Sequence, residues 1–115
     1  MDIQTGLDWV EVCKSIEIPE NAGACVLMDN KQIAIFNFKR KNKWFACQNL
    51  CPHKQQMGIS RGMIGSQGEE MEPKIACPFH KNTFSLETGK CFTNDSLSIQ
   101  TYPVKEENGW IYISL

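Results

Sequence analysis

Two short boxes hold most of the residues in this chain that could do chemistry: Cys51-Pro52-His53 and Cys77-Pro78-Phe79-His80. Thiolate and imidazole ligate the same transition metals, and the proline after each cysteine restricts the loop backbone. The chain has only two histidines, and both fall within three residues of a Cys-Pro dipeptide. That coincidence reads as four ligands to one metal centre. Two centres suit the set: a tetrahedral zinc, or a 2Fe–2S cluster in which two imidazoles replace two thiolates on one iron. Zinc fingers space each pair more widely and put the histidine pair on a helix, and neither feature is visible here. In the two-iron case Cys51 and Cys77 hold one iron, and His53 and His80 hold the other.

The remaining four cysteines have no histidine companion. Cys13, Cys25 and Cys91 stand in strand or strand-end contexts and are expected to be small buried hydrophobes. Cys47 precedes Cys51 by one short turn and is left out of the ligand set. Six cysteines would suit a disulfide framework in a secreted chain. The segment Met1 to Gly6, however, carries an acid and no basic n-region, so a reducing cytoplasmic setting is expected. With both histidines committed, no Ser/His/Asp set can form. No G-x-G-x-x-G follows a strand, so no nicotinamide or flavin site is visible. These absences favour an electron carrier over a complete catalyst; catalytic residues are expected to be none.

The elements that position the two boxes must be short. The 115 residues, with 42% hydrophobic and 22% charged residues, suit one soluble domain. Twelve Lys and Arg against thirteen Asp and Glu give no electrostatic case for nucleic acid or a membrane surface. Strands are expected near Trp9 to Lys14, over Ala24 to Met28, and over Gln32 to Phe38 with the turn Asp29-Asn30-Lys31 between the last two. Ile33 and Ile35 would face one way, and Ala34, Phe36 and Phe38 the other, as in a central strand between packed layers.

The basic run Lys39 to Lys43, read mainly as a solvated turn, leads into a strand at Trp44 to Ala46. Two closing strands are expected over Leu97 to Tyr102 and Trp110 to Ser114, joined across Glu106-Glu107-Asn108-Gly109. Pro19 limits any helix near Ile16 to Asn21 to about one turn. Between Cys47 and Phe92 the residues turn to Gly, Pro, Cys, His and Met. That stretch is too long for a passive loop. It is expected to be a subdomain organised by something other than apolar packing, with its Gly-rich part (Gly58 to Gly68) and the acidic Glu69, Glu70 and Glu72 in a solvated surface excursion.

The two boxes resemble those of Rieske iron–sulfur proteins. Cys51-Pro-His-Lys, Ile59-Ser-Arg-Gly, Lys74-Ile-Ala-Cys-Pro-Phe-His-Lys and Thr83-Phe-Ser-Leu-Glu-Thr-Gly-Lys-Cys are most similar to the small subunits of assimilatory NAD(P)H nitrite reductases. The resemblance runs over nearly the whole chain. It implies an all-β, Rieske-type antiparallel β-sandwich over residues 1–115, with a cluster-binding subdomain inserted at about 47–92. It also implies a Rieske 2Fe–2S cluster on Cys51, His53, Cys77 and His80. The partner would be the nitrite reductase large subunit, which alone would carry FAD, sirohaem and a 4Fe–4S cluster. The activity would be nitrite reduction to ammonium in nitrate assimilation.

Two other readings stay open: a stand-alone Rieske ferredoxin for an aromatic-ring oxygenase, and a zinc-stabilised interaction module. Departures from respiratory Rieske proteins carry expectations too. Gln56 and Phe79 stand where those proteins have a disulfide between the loops. Asn82 and Phe84 stand where they have hydroxyl donors to the cluster, which implies a lower potential. Lys81 replaces a common Gly.

Overall fold

The computed structural model describes residues 9–39, 42–52, 56–68, 71–78 and 82–114. Val10–Lys14 forms β1. A 3-10 turn, Ser15–Glu17, follows it, tied by the Lys14 N–H donating to the Glu17 carboxylate at 2.9 Å. The turn ends before Pro19, which has no N–H to extend it, so helical structure lies earlier than the expected Ile16 to Asn21. β2 (Gly23–Met28) then pairs along its full length with β3 (Lys31–Phe38), from Gly23 opposite Phe36 to Met28 opposite Lys31. Asp29 and Asn30 alone make the turn, both with positive φ (49° and 64°). A two-residue turn of that hand matches strand twist, and Lys31 therefore opens β3 instead of lying in the turn.

β4 (Lys43–Gln48) pairs with the other edge of β3, with Phe36 opposite Phe45. Its own far edge takes β10 (Thr101–Tyr102), giving the order β10-β4-β3-β2. The expected central position of β3 is observed, and its alternation divides two cores. Ile33 and Ile35 pack with Ile18, Ala46, Ile111 and Ile113. Ala34, Phe36 and Phe38 pack with residues of the inserted region. Each fully buried Ile or Phe side chain contributes about 1.5–3 kcal/mol, so β3 is stabilised from both sides at once.

The chain ends differ from expectation in detail. β11 (Val104–Glu107) and β12 (Trp110–Ile113) form the closing hairpin, and β1 pairs with β12 in a sheet ordered β1-β12-β11. Glu106 and Glu107, expected in the turn, belong to β11; Asn108 and Gly109 (φ 54° and 84°) make the turn alone. Only Thr101–Tyr102 of the expected Leu97 to Tyr102 strand is laddered. The residues before it find scattered partners instead: Ile99 N–H donates to Gly89 O, Gln100 N–H to the Gln48 side chain, and Ser98 bridges Lys90.

The insert is better ordered than its composition suggests. β5 (Leu50–Cys51) pairs with β6 (Gln56–Met57), a 3-10 turn covers Ile59–Arg61, and β7 (Met63–Gln67), β8 (Glu72–Ala76) and β9 (Thr83–Ser85) form a sheet in that order. The Gly-rich excursion is thus a hairpin, with Gly65 opposite Lys74 and a buried Pro73 opposite Ser66. Glu72 receives a hydrogen bond from the buried Ser85 hydroxyl, while Glu69 and Glu70 lie outside the described residues. Apolar packing does organise this region, since Ile59, Ile75, Phe84 and Leu86 are buried in one cluster with Phe36 and Phe38. Gly62 permits the join: a Cβ there would run into the Ala76 carbonyl oxygen. Among the described residues, no helix is long and apolar enough to cross a membrane.

Candidate metal centre

Cys51 ends β5 and Cys77 follows β8, 26 positions later, yet their Sγ atoms lie 3.0 Å apart. Both side chains are buried, at 0% and 3% exposure. A disulfide would need about 2.05 Å, and no disulfide forms among the described residues. Two thiolates, each about 2.3 Å from one tetrahedral metal, stand roughly 3.7 Å apart. The pair therefore fits one iron after a movement of well under an ångström per sulfur. No third His, Cys, Asp or Glu joins the two cysteines among the described residues. His53 and His80 lie outside those residues, as do Phe79 and Lys81 and the side chain of Gln56.

Sequence reasoning passed over the residue that holds the first box. Asn49 is 4% exposed, and nearly all its polar groups are used. Its N–H donates to Gln32 O, and its carbonyl accepts from the Gly58 and Ile59 N–H groups. Its Oδ1 accepts from the Ser60 N–H at 2.7 Å, and its Nδ2 donates to Gln32 Oε1 at 2.9 Å. One buried amide thus clamps the start of the β5–β6 hairpin and the turn after it to β3. A buried polar group satisfied this fully rigidifies its surroundings. Neither periodicity nor a known motif marks Asn49 in the sequence.

The second box is closed by the Cys77 N–H donating to Asn82 O at 2.9 Å. Thr93 reinforces the closure, its hydroxyl donating to Asn82 Oδ1 at 2.8 Å. Behind both boxes lies the apolar cluster of Ile59, Ile75, Phe84, Leu86 and Cys91. Phe84, expected to replace a hydroxyl donor, is fully buried in that cluster. The arrangement sets two buried thiols, delivered by two hydrogen-bonded loops, against a dry wall.

The other cysteines divide. Cys91 and Cys47 are buried, and burial pushes the Cys47 thiol from 9.0 up to about 12. Cys13 is half-buried. Cys25, expected inside, is exposed on the outer edge strand β2, where its Sγ receives a hydrogen bond from Asn49 Nδ2 at 3.5 Å. Burial and the nearby Glu17 raise the Cys13 thiol, and partial burial raises that of Cys25. The three tryptophans are half-buried rim residues, two of them beneath lysines: Lys105 over Trp9 at 4.7 Å and Lys14 over Trp110 at 5.6 Å.

Residues 8–114 match the family model of the Rieske-like [2Fe-2S] domain. The nitrite reductase [NAD(P)H] of Emericella nidulans is 35% identical over 96% of this chain, which spans only 10% of that protein's length. The nitrite reductase (NADH) small subunit of Escherichia coli K12 is 29% identical, over 91% of this chain and 95% of its own. The ferredoxin component of a Ralstonia naphthalene 1,2-dioxygenase/salicylate 5-hydroxylase system is 33% identical, over 88% of this chain and 89% of its own. Among solved structures, the nitrite reductase [NAD(P)H] small subunit of Erwinia carotovora superposes with a TM-score of 0.75 and 30% identity, covering 93% of this chain and 81% of that one.

Proposed function

Because the chain belongs to the Rieske-like [2Fe-2S] domain family over nearly its whole length, we propose that Cys51, His53, Cys77 and His80 hold a Rieske cluster. On this reading residues 1–115 are one domain, with residues 47–92 as the cluster-binding subdomain, and the chain is the electron-transfer small subunit of an NAD(P)H-dependent nitrite reductase. Its partner is the large subunit, which carries FAD, sirohaem and a 4Fe–4S cluster, and the complex works in the cytoplasm. The observation that carries the cluster assignment is the 3.0 Å approach of two buried thiols from separate hairpins. The histidines follow them by two and three positions, where a second iron would be held. Likeness to a nitrite reductase small subunit over 95% of that protein's length supports the narrower assignment.

The cluster, when bound, accepts and returns one electron at a time. This chain's own residues do the rest. Asn49 and the Cys77–Asn82 closure set the two loops at a fixed separation, so that little rearrangement accompanies each transfer. The cluster of Ile59, Ile75, Phe84 and Leu86 excludes water from the protein side of the thiols. Imidazole ligands carry no charge where thiolates would, so an added electron is less opposed than on a four-thiolate cluster.

Anaerobic purification from iron-replete cells tests the centre: two irons and two labile sulfides per chain are expected, and stoichiometric zinc would overturn it. Mixing with a nitrite reductase large subunit tests the partner. NAD(P)H-driven ammonium formation should require both proteins. The likeness to the Ralstonia ferredoxin component favours a second reading, a stand-alone ferredoxin for an aromatic-ring oxygenase. Support of oxygenase turnover without any effect on the reductase would establish that reading instead.

A further inference from the structure

Two buried thiols this close have a chemistry of their own besides metal binding. The Sγ atoms of Cys51 and Cys77 stand at 3.0 Å, between two separations that matter. A disulfide needs about 2.05 Å, and two thiolates on one tetrahedral metal stand roughly 3.7 Å apart. Each sulfur therefore moves roughly a third of an ångström outward to share an iron, or roughly half an ångström inward to bond its neighbour. Protein contacts set the backbone that carries each sulfur. Cys51 lies opposite Gln56 in the β5–β6 ladder, behind the Asn49 clamp, and the Cys77 N–H donates to Asn82 O. Both residues belong to the same apolar cluster. The approach is thus a property of the fold. Two of the other cysteines lie against oxygens: Cys91 Sγ is 3.3 Å from Thr93 Oγ1, and Cys25 Sγ is 3.6 Å from Gln32 Oε1.

We propose that Cys51 and Cys77 also form a redox gate on this site: when no metal holds them, hydrogen peroxide joins them as a disulfide, and a dithiol reductant opens it again. The gate rests on the ligand assignment above, because its consequence is control of metal entry. Hydrogen peroxide, barely larger than water, suits thiols this buried. Cys77, at 3% exposure against 0% for Cys51, meets it first. Its sulfur bonds one peroxide oxygen as the O–O bond breaks, giving a sulfenic acid and one water. The Cys51 sulfur then attacks the Cys77 sulfur, the S–O bond breaks, and a second water leaves with the Cys51 proton. Two thiols and one peroxide become one disulfide and two waters. The metal ligand is the thiolate, so the bonded pair is closed to iron and zinc alike. The neighbour 3.0 Å away also diverts Cys77 from the irreversible sulfinic and sulfonic acids. Exchange with a dithiol, which leaves as its own disulfide, returns both thiols.

The full chain tests this, stripped of metal by a chelator in the presence of a dithiol and then freed of both. One equivalent of hydrogen peroxide should make it lighter by two hydrogens and lower its count of six thiols by two. Peptide mapping should place the new bond between Cys51 and Cys77. Cobalt(II), whose thiolate complexes absorb in the near ultraviolet, serves as the metal probe. The oxidised chain should bind it at no more than about a tenth of the reduced level, and dithiol treatment should restore the rest. Cys51→Ser should instead gain oxygen at Cys77 without forming the bond, while Cys91→Ser should close as wild type does. A treated wild type that keeps all its thiols, gains only oxygen, or pairs other cysteines would overturn the gate. So would an oxidised chain whose cobalt uptake matches that of the reduced one. A reduced chain that binds neither cobalt nor, given iron and sulfide, a cluster would overturn the ligand assignment. A reduced chain that loads normally yet forms no disulfide would overturn this inference alone.

Discussion

The Ser60 N–H donates to Asn49 Oδ1 at 2.7 Å, and the same asparagine reaches back to Gln32 on β3. One side chain therefore fixes the turn after the first ligand box against the central sheet. Asn49→Ala leaves the half-buried Ser60 N–H without its acceptor and Gln32 Oε1 with only the weak Cys25 thiol, at about 1–3 kcal/mol for each bond lost. A loss of about 2–4 kcal/mol is expected from chemical denaturation. Asn49→Asp keeps the acceptor for Ser60 and should lose less. An alanine variant as stable as wild type would show that the clamp is not needed.

Cysteine replacement separates ligands from packing. Cys51→Ser and Cys77→Ser each remove one of the converging thiols and should abolish the visible spectrum and the bound iron. Cys13→Ser, Cys25→Ser and Cys91→Ser should keep both, since these thiols lie outside the pair. Loss of iron in the Cys91 variant alone would mean that the ligand set had been drawn too narrowly.

Much of this molecule can be read from its residues, because period-2 patterning and turn chemistry are local. The alternation of Ile33 to Phe38 was enough to place β3 between two cores, and Asp29-Asn30 and Asn108-Gly109 announced their hairpins. The Cys-Pro boxes announced the two thiols that meet at 3.0 Å. What escaped depends on contacts distant in sequence. The apolar wall of the insert is built from isolated residues such as Ile59, Ile75 and Phe84, with no periodic run to reveal it. Residues 97–100 form no regular ladder: Ile99 bonds to Gly89, and Gln100 reaches only the end of β4, at Gln48. Cys25 has a strand neighbourhood identical in kind to that of a buried cysteine, and only the edge position of β2 turns it to solvent. Asn49 and Thr93 act through hydrogen bonds to residues distant in sequence, which no spacing rule encodes.

Phe84 tests whether the insert has a real apolar core. It is fully buried, lies opposite Ile75 in the β8–β9 pair, and belongs to the cluster that contains both Cys51 and Cys77. Phe84→Ala should cost about 3–5 kcal/mol and speed loss of iron to a chelator. Phe84→Leu should cost much less on both counts. Equal iron retention in wild type and the alanine variant would show that the wall does not hold the loops.

Cys47 should make stability fall in alkali. It is fully buried on β4, opposite Ala34 of β3 on one side and Thr101 of β10 on the other. Burial raises its pKa from 9.0 to about 12 because the thiolate would lose its hydration there. Between those two pH values the native state holds a proton that the unfolded chain has released, so stability decreases as pH rises. The contribution is fully present below pH 9 and is lost progressively toward pH 12. Its full size is on the order of 4 kcal/mol, and about half should be gone by roughly pH 10.5. Urea titrations of wild type and Cys47→Ala from pH 8 to 10.5 read this term, because the other alkaline titrations are common to both apart from that of Tyr102, which burial and the Cys47 thiolate both raise. Wild type should start the more stable of the two, since alanine leaves a small void, and should lose that lead as the pH rises. Parallel stability curves for the two proteins over this range would show that the Cys47 thiol ionises as readily in the folded chain as in the unfolded one.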